Sequence, residues 1–231
     1  SIRRQRQMCI RDSFYAEPYS YTTIRPPWAC AELRILLTMK KTKVNIHRNP
    51  RIIAGSAKGT QLLVSPSARV RPTSLRLRES LFGMLDSLEA DYSYILDLYA
   101  GSGALGIEAL SRGEGLAIFV EQDRSSAATI RMNLERVGES NRGLVVGQSV
   151  EDWVPTDMKK FTMIFADPPY QSTGIDSLIS EKLKDSIAAN GVLALEHESG
   201  LTPPNTICDL KLYKARRQGK GAVAIYCDEA N

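Results

Sequence analysis

The sequence predicts an α/β fold: a mostly parallel, seven-stranded sheet that ends in an antiparallel hairpin, preceded by a small N-terminal β/α extension. Three observations carry this expectation. Short apolar runs alternate with helix-period segments from residue 94 onward, and strands joined through helices pair in parallel. A glycine cluster lies where the first of these runs hands over to a helix. The last two apolar runs flank a Gly-containing turn, which is a hairpin signal.

The elements follow in chain order. Residues 1–38 mix Arg, Pro and Tyr without helix or strand periodicity, and RRQRQMCIRDS at 3–13 resembles translated sequencing-adaptor sequence. This stretch is expected to be a non-native or disordered leader, either a read-through scar or an organelle transit peptide. Met39 then opens a basic MKKTK segment. RIIAGSAKGTQLLVS, from Arg51, has short apolar runs broken by glycine, as in a small hairpin. Pro72 holds the residue before it extended, and Thr73 or Ser74 can cap the helix that follows. From 75 to 88 the apolar positions 77, 81, 84, 85 and 88 form one stripe, with Arg76 and Arg78 off it. Strands are expected at 94–98, 116–120, 144–146, 163–166 and 192–195, and helices at 104–112, 125–137 and 176–190, the last with Gly191 at its C′ position. The tail forms the hairpin, 210–215 with 222–227.

Composition narrows the function. With 231 residues, 43% hydrophobic and 24% charged, the chain can bury one sizeable core. No run of 18 apolar residues is present, which argues against a membrane helix. Four cysteines, at 9, 30, 208 and 227, lack C-x-x-C spacing, and there are only two histidines. A disulfide framework or a closed metal site is not expected, and a reducing, cytoplasmic setting is, or a plastid if the leader is a transit peptide. The net charge of +4 is unevenly spread: residues 90–200 carry nine Lys/Arg against seventeen Asp/Glu, and both flanks are basic. Flanking cations suit a polyanion.

LDLYAGSGALG, at 96–106, places Gly101, Gly103 and Gly106 in the G-x-G-x-x-G pattern, with Glu121 twenty residues beyond Gly101. That pattern alone admits a nicotinamide dinucleotide. Asp97 turns the reading toward S-adenosylmethionine, because a carboxylate at the strand end can receive an ammonium group and would repel a pyrophosphate. Ala100, Gly101 and Gly103 let backbone approach the methionine moiety, Glu121 can accept ribose hydroxyls, and Gln122 stands near the adenine. Further on, the strand 163–166 runs into Asp167-Pro168-Pro169-Tyr170. Two prolines after a buried strand force a stiff, extended exit at the sheet's carboxyl edge, where open α/β sheets bind ligands. There a carboxylate and a carbonyl can accept both protons of an exocyclic amine, and Tyr170 can stack on a base.

With RIIAGSAKG at 51–59, RPTSLRLRESLF at 71–82, LDLYAGSGALGIEALSRG at 96–113, VEQD at 120–123 and DPPY at 167–170, the chain resembles the RsmD family within the DPPY-type amino-methyltransferases. The resemblance implies a Rossmann-like class I AdoMet-dependent methyltransferase fold over residues 90–231, with 39–89 as its extension. It implies methyl transfer from S-adenosylmethionine to guanine N2 of small-subunit (16S) rRNA, a partly assembled ribosomal subunit as partner, a monomer, and no metal. By position Ser149, Val150 and Glu151 match its adenine-side loop, and the region around Arg71, Arg76 and Arg78 lies across the cofactor mouth. Arg71, Arg76 and Arg78 can hold an RNA phosphate or close over the cofactor, or else lie on a solvated helix face; Arg216, Arg217 and Lys220, with Lys214, are candidates for RNA contact. The other readings are an N6-adenine methyltransferase, a non-catalytic nucleic-acid-binding Rossmann protein and, more remotely, an NAD-dependent oxidoreductase.

Overall fold

The computed structural model describes residues 49–66, 74–156, 159–169 and 174–228. The expectations for residues 1–38, Arg71, Thr73 and Tyr170 lie outside the described residues. The elements are α1 (Leu75–Ser87), β1 (Tyr94–Leu98), α2 (Ala104–Arg112), β2 (Leu116–Val120), α3 (Arg124–Val137), β3 (Gly143–Val146), β4 (Phe161–Ala166), α4 (Ile175–Leu183), β5 (Ile187–Glu198), β6 (Thr206–Ile207), β7 (Leu210–Gln218) and β8 (Gly221–Cys227). Ser74 caps α1, its Oγ accepting the Leu77 amide at 3.2 Å.

The strands form one sheet in the order β3-β2-β1-β4-β5-β8-β7-β6. β3, β2, β1, β4 and β5 are parallel, and β8, β7 and β6 complete the sheet in antiparallel fashion. The expected α/β architecture is present, with β6 as an eighth strand that two residues gave no pattern to reveal. Alternate residues face opposite ways, as the pleat requires. Ile95, Phe119, Met163, Phe165, Val223 and Ile225 pack under α1, α2 and α3, with Leu77, Phe82, Ile107 and Ile130 among their partners. Leu96, Ile164, Leu193 and Tyr226 pack with Ile179 and Leu183 of α4 on the other face. The sheet is thus covered on both faces, as near-continuous apolar parallel strands demand.

Two elements differ from expectation. The helix expected over 176–190 ends at Leu183, followed by one 3₁₀ turn at Lys184–Ser186 and then β5. Ile175, Ile179, Leu183 and Ile187 keep a four-residue spacing, so the helical stripe runs on in sequence past the point where the chain turns. Ile187 instead pairs with Phe161 of β4, and the register shifts before Met163 meets Val192. Gly191 lies inside β5, not at a helix end; a Cβ there would stand 2.5 Å from Ile187 Cγ2 and 3.0 Å from the Phe161 carbonyl oxygen. The hairpin after Arg51 is a single bridge, Arg51 to Gln61, closing a loop.

That loop is held by buried polar side chains. Glu108 of α2, 0% exposed, accepts the Ile53 and Ala54 amides at 2.6 and 2.9 Å and pairs with Arg112 at 2.9 Å. Asn133 of α3 accepts the Leu63 amide and donates to the Leu63 and Ser102 carbonyls. The extension therefore braces α2, which follows the glycine loop, and α3, whose Asn133 also holds that loop through the Ser102 carbonyl. Arg78 corrects an expectation. It is 1% exposed and not on a solvated face, and its Nη2 donates to the Arg51 carbonyl at 2.8 Å. Burial lowers its pKa, which the charges of Glu108 and Glu79 partly restore. Its guanidinium is accordingly a brace between α1 and the extension and is not open to an RNA phosphate. Arg76 is exposed.

Candidate functional site

Strand order reverses between β1 and β4, with β2 and β3 on one side and β5 on the other. At such a switch point neighbouring loops diverge and leave a crevice beyond the carboxyl ends of the strands. The expected cofactor residues gather along this edge. Asp97 and Ala100–Gly103 follow β1, Glu121 and Gln122 follow β2, Ser149 and Val150 follow β3, and Asp167–Pro169 follow β4. The Asp167 amide reaches the Leu98 carbonyl at 3.4 Å, which sets the end of β4 beside that of β1.

The loop after β1 turns sharply. Tyr99, Gly101 and Gly103 have φ of 56°, 56° and 74°. This left-handed region is open to glycine and costs a tyrosine about 1–3 kcal/mol. Tyr99 is held there at its far end, where its hydroxyl donates to Glu151 Oε1 at 3.1 Å. This link between the glycine loop and the loop after β3 was not visible in the sequence, because it joins side chains 52 residues apart. Gly106 is needed for a different reason. A Cβ there would lie 2.5 Å from the Phe119 ring and 3.0 Å from Asp97 Oδ2. Gly106→Ala should therefore cost roughly 1–3 kcal/mol, lowering Tm by about 2–10 °C and loosening the cofactor loop; thermal denaturation with and without S-adenosylmethionine measures both.

Asp97 differs from its expected setting. It is 1% exposed, and its Oδ2 accepts the Gly106 amide at 2.9 Å. The side chain thus pins the start of α2, and only what remains of the carboxylate can meet a ligand. Burial pushes its pKa well above the carboxylate range, the Gly106 amide pulls it down, and the charges of Asp167 and Glu121 push it up again. Glu121 is likewise tied to backbone, accepting the Gly101 amide through Oε2 and the Asp123 amide through Oε1, each at 2.8 Å. Asp123 caps α3 by accepting the Ser126 amide at 2.8 Å. Ser149 spends its hydroxyl within its own turn, on Asp152. Val150 is buried and Gln122 exposed; Pro168 is buried and Pro169 exposed.

The charges of Asp167 and Glu121 thus both act on the buried Asp97, and the three carboxylates lie around a loop of open backbone. Such a site repels a pyrophosphate and attracts a cation. S-adenosylmethionine fits it, with a sulfonium, an ammonium and ribose hydroxyls within one molecule. Arg216, Arg217 and Lys220 stand apart, exposed on β7 and the turn after it. Cys208 and Cys227 are both buried, and His197, whose Nδ1 lies 3.0 Å from the Glu198 carbonyl, has no nucleophile beside it among the described residues.

Comparison with known proteins agrees with this geometry. The family model described as Conserved hypothetical protein 95 matches residues 50–227. The protein YlbH of Bacillus subtilis strain 168 is 35% identical over 182 residues, 76% of this chain and 97% of its own length. Ribosomal RNA small subunit methyltransferase D of Escherichia coli K12 is 31% identical over 194 residues, 83% of this chain and 96% of its own. Among solved structures, a hypothetical protein of Thermus thermophilus superposes with a TM-score of 0.65 at 31% identity, covering 76% of this chain and 98% of its own. A glycine loop over a carboxylate cluster at the switch point, in a chain matched along most of its length, makes this protein an S-adenosylmethionine-dependent methyltransferase that belongs to the Conserved hypothetical protein 95 family, that of ribosomal RNA small subunit methyltransferase D.

Proposed function

We propose that the protein methylates the exocyclic N2 amine of one guanine in small-subunit rRNA. The observation that carries this reading is Asp167-Pro168-Pro169 at the end of β4, beside the β1 loop and electrostatically coupled to Asp97. An amine conjugated to a purine ring is a poor nucleophile. Asp167 and a neighbouring main-chain carbonyl accept its two protons, turning the nitrogen lone pair toward the methyl group that S-adenosylmethionine supplies. The N–C bond would form as the donor's S–CH3 bond breaks, that electron pair leaving on the neutralised sulfur; the nitrogen, now cationic, would shed one proton, for which Asp167 is the base in place. Asp97 and Glu121 face the cofactor's ammonium and ribose, and Tyr170 stacks on the target base. A paired guanine is hidden in the helix, so the target is a loop base or one extruded from its stack.

The names of the relatives support rRNA as the substrate class. With the leader set aside, the chain from residue 39 onward carries net charge of only about +1 on the same counting. Affinity for free RNA should then be weak and strongly salt-dependent. A partly assembled subunit, in which ribosomal proteins fix the loop, is the better substrate for a monomeric enzyme. No described helix is long and apolar enough to cross a membrane, and no described group of His, Cys, Asp and Glu could hold a metal. The test supplies tritiated S-adenosylmethionine with free rRNA and with assembled particles at one ionic strength, followed by nucleoside analysis. N2-methylguanosine, formed faster on particles, is the expected product. N6-methyladenosine would overturn the guanine assignment, and equal rates on free rRNA would overturn the preference for particles.

A further inference from the structure

The C-terminal hairpin has a position that its charge alone does not convey. β4 last pairs with β5 at Ala166 and Leu195, but β5 continues to Glu198, which pairs with Gly221 at the start of β8. The β7–β8 turn therefore stands at the carboxyl edge of the sheet, the edge that carries Asp97, Glu121 and Asp167. Three further residues of strand put it about 10 Å beyond the level of Ala166, and three strand spacings put β7 about 14 Å to the side of β4. The combined span of about 17 Å is that of about five stacked nucleotides.

From Leu210 to Cys227 the chain has five cations, Lys211, Lys214, Arg216, Arg217 and Lys220, and no carboxylate. Lys214, Arg216, Arg217 and Lys220 are exposed, and none of the four forms an ion pair among the described residues. Tyr213, 47% exposed, interrupts the row with an aromatic face. β6 pairs with β7 only at Leu210 and Lys211, so no strand covers the edge of β7 beyond them. Edge lysines also deter strands of other chains from pairing. That cause would act equally at the opposite edge of the sheet, yet β3 there is Gly-Leu-Val-Val, without a charge. The cations gather at one edge only, and toward the end where the crevice opens.

We infer that the outer edge of β7 and the β7–β8 turn dock the RNA strand leading into the site. Lys214, Arg216, Arg217 and Lys220 hold successive phosphates, with the turn about five nucleotides from the target, and Tyr213, further back along β7, stacks on a base. This rests on the rRNA reading above and adds the face by which the substrate arrives.

The test is the triple variant Arg216→Ala, Arg217→Ala and Lys220→Ala, compared with an equal loss of charge elsewhere, Arg131→Ala, Arg136→Ala and Lys160→Ala. The hairpin variant should raise the KM for RNA at least about tenfold, with kcat at saturating RNA and cofactor affinity unchanged. Its plot of log affinity against log salt should flatten by about two to three units, since each phosphate contact contributes roughly 0.7–0.9. Arg216→Lys with Arg217→Lys should restore most of the binding, which separates lost charge from a misfolded hairpin. Equal RNA affinity and salt slope in the hairpin variant and the parent overturn the docking surface and leave the rRNA reading intact, as does an equal loss in the control variant. If the parent methylates no rRNA while the hairpin variant still loses RNA affinity, the rRNA reading fails and the docking surface stands.

Discussion

Asp167→Ala lowers turnover by about 10²–10³-fold while the cofactor affinity stays within about threefold. The asymmetry follows from position. Asp167, half-buried, stands at the end of β4, and its backbone is anchored by the Leu98 carbonyl. Removing the carboxylate leaves the glycine loop and both strand ends in place but takes away the acceptor proposed to hold the amine in line. Asp167→Asn keeps an acceptor and loses the base, so its rate should lie between the two. Single-turnover kinetics at saturating cofactor, with calorimetry for cofactor affinity, separate the effects. Wild-type turnover in Asp167→Ala would sink the amine-holding role.

Asp97→Asn gives the opposite pairing: a more stable protein that binds its cofactor worse. The amide oxygen can still accept from Gly106, while the burial penalty and the repulsion from Asp167 and Glu121 disappear. Loss of a charge-assisted contact of about 1.5–3 kcal/mol weakens S-adenosylmethionine binding roughly tenfold to a hundredfold. The pH dependence has a definite sign. A carboxyl whose folded pKa is raised binds its proton more readily folded than unfolded, so its contribution to stability is greatest at low pH. That contribution is lost as pH rises from the ordinary carboxylate value through the raised one. The variant should lack this component, and its stability advantage should grow in denaturant titrations as pH rises above the ordinary carboxylate value. Unchanged cofactor affinity would remove Asp97 from the binding site and leave it as the pin of α2.

Much of this architecture was legible because the central parallel strands, β1 and β4, are buried on both faces and read as short continuous apolar runs. β1, α2 and β2 have the expected boundaries, since Gly101, Gly103, Gly113 and Glu121 punctuate the chain there. The motif residues were legible for the same reason: the glycines and the paired prolines are backbone statements written in sequence. Other features depend on contacts between distant segments. Glu108 and Asn133 sit within helical stripes of apolar residues, and nothing nearby in sequence shows that their partners lie 54 to 70 positions upstream. Arg78 reads as solvated because Leu77 and Leu81 define the stripe beside it, whereas the extension closes over it from the other side. The surroundings of Asp97 were hidden too, since it is buried between Phe119 of β2 and Phe165 of β4 and meets the Gly106 amide and the charges of Asp167 and Glu121 only in the fold.

The position of β8 has a kinetic consequence. All seven of its residues are buried, and it lies between β5 and β7, although it is the last strand in the chain. During synthesis the cofactor crevice between β1 and β4 can assemble while β5 still presents a bare apolar edge. Such an edge is a template for other chains. The nascent protein is thus most prone to association late, in the interval before residues 221–227 clear the ribosome. A ribosome stalled there would display a chain holding most of its candidate site residues without the strand that seals it.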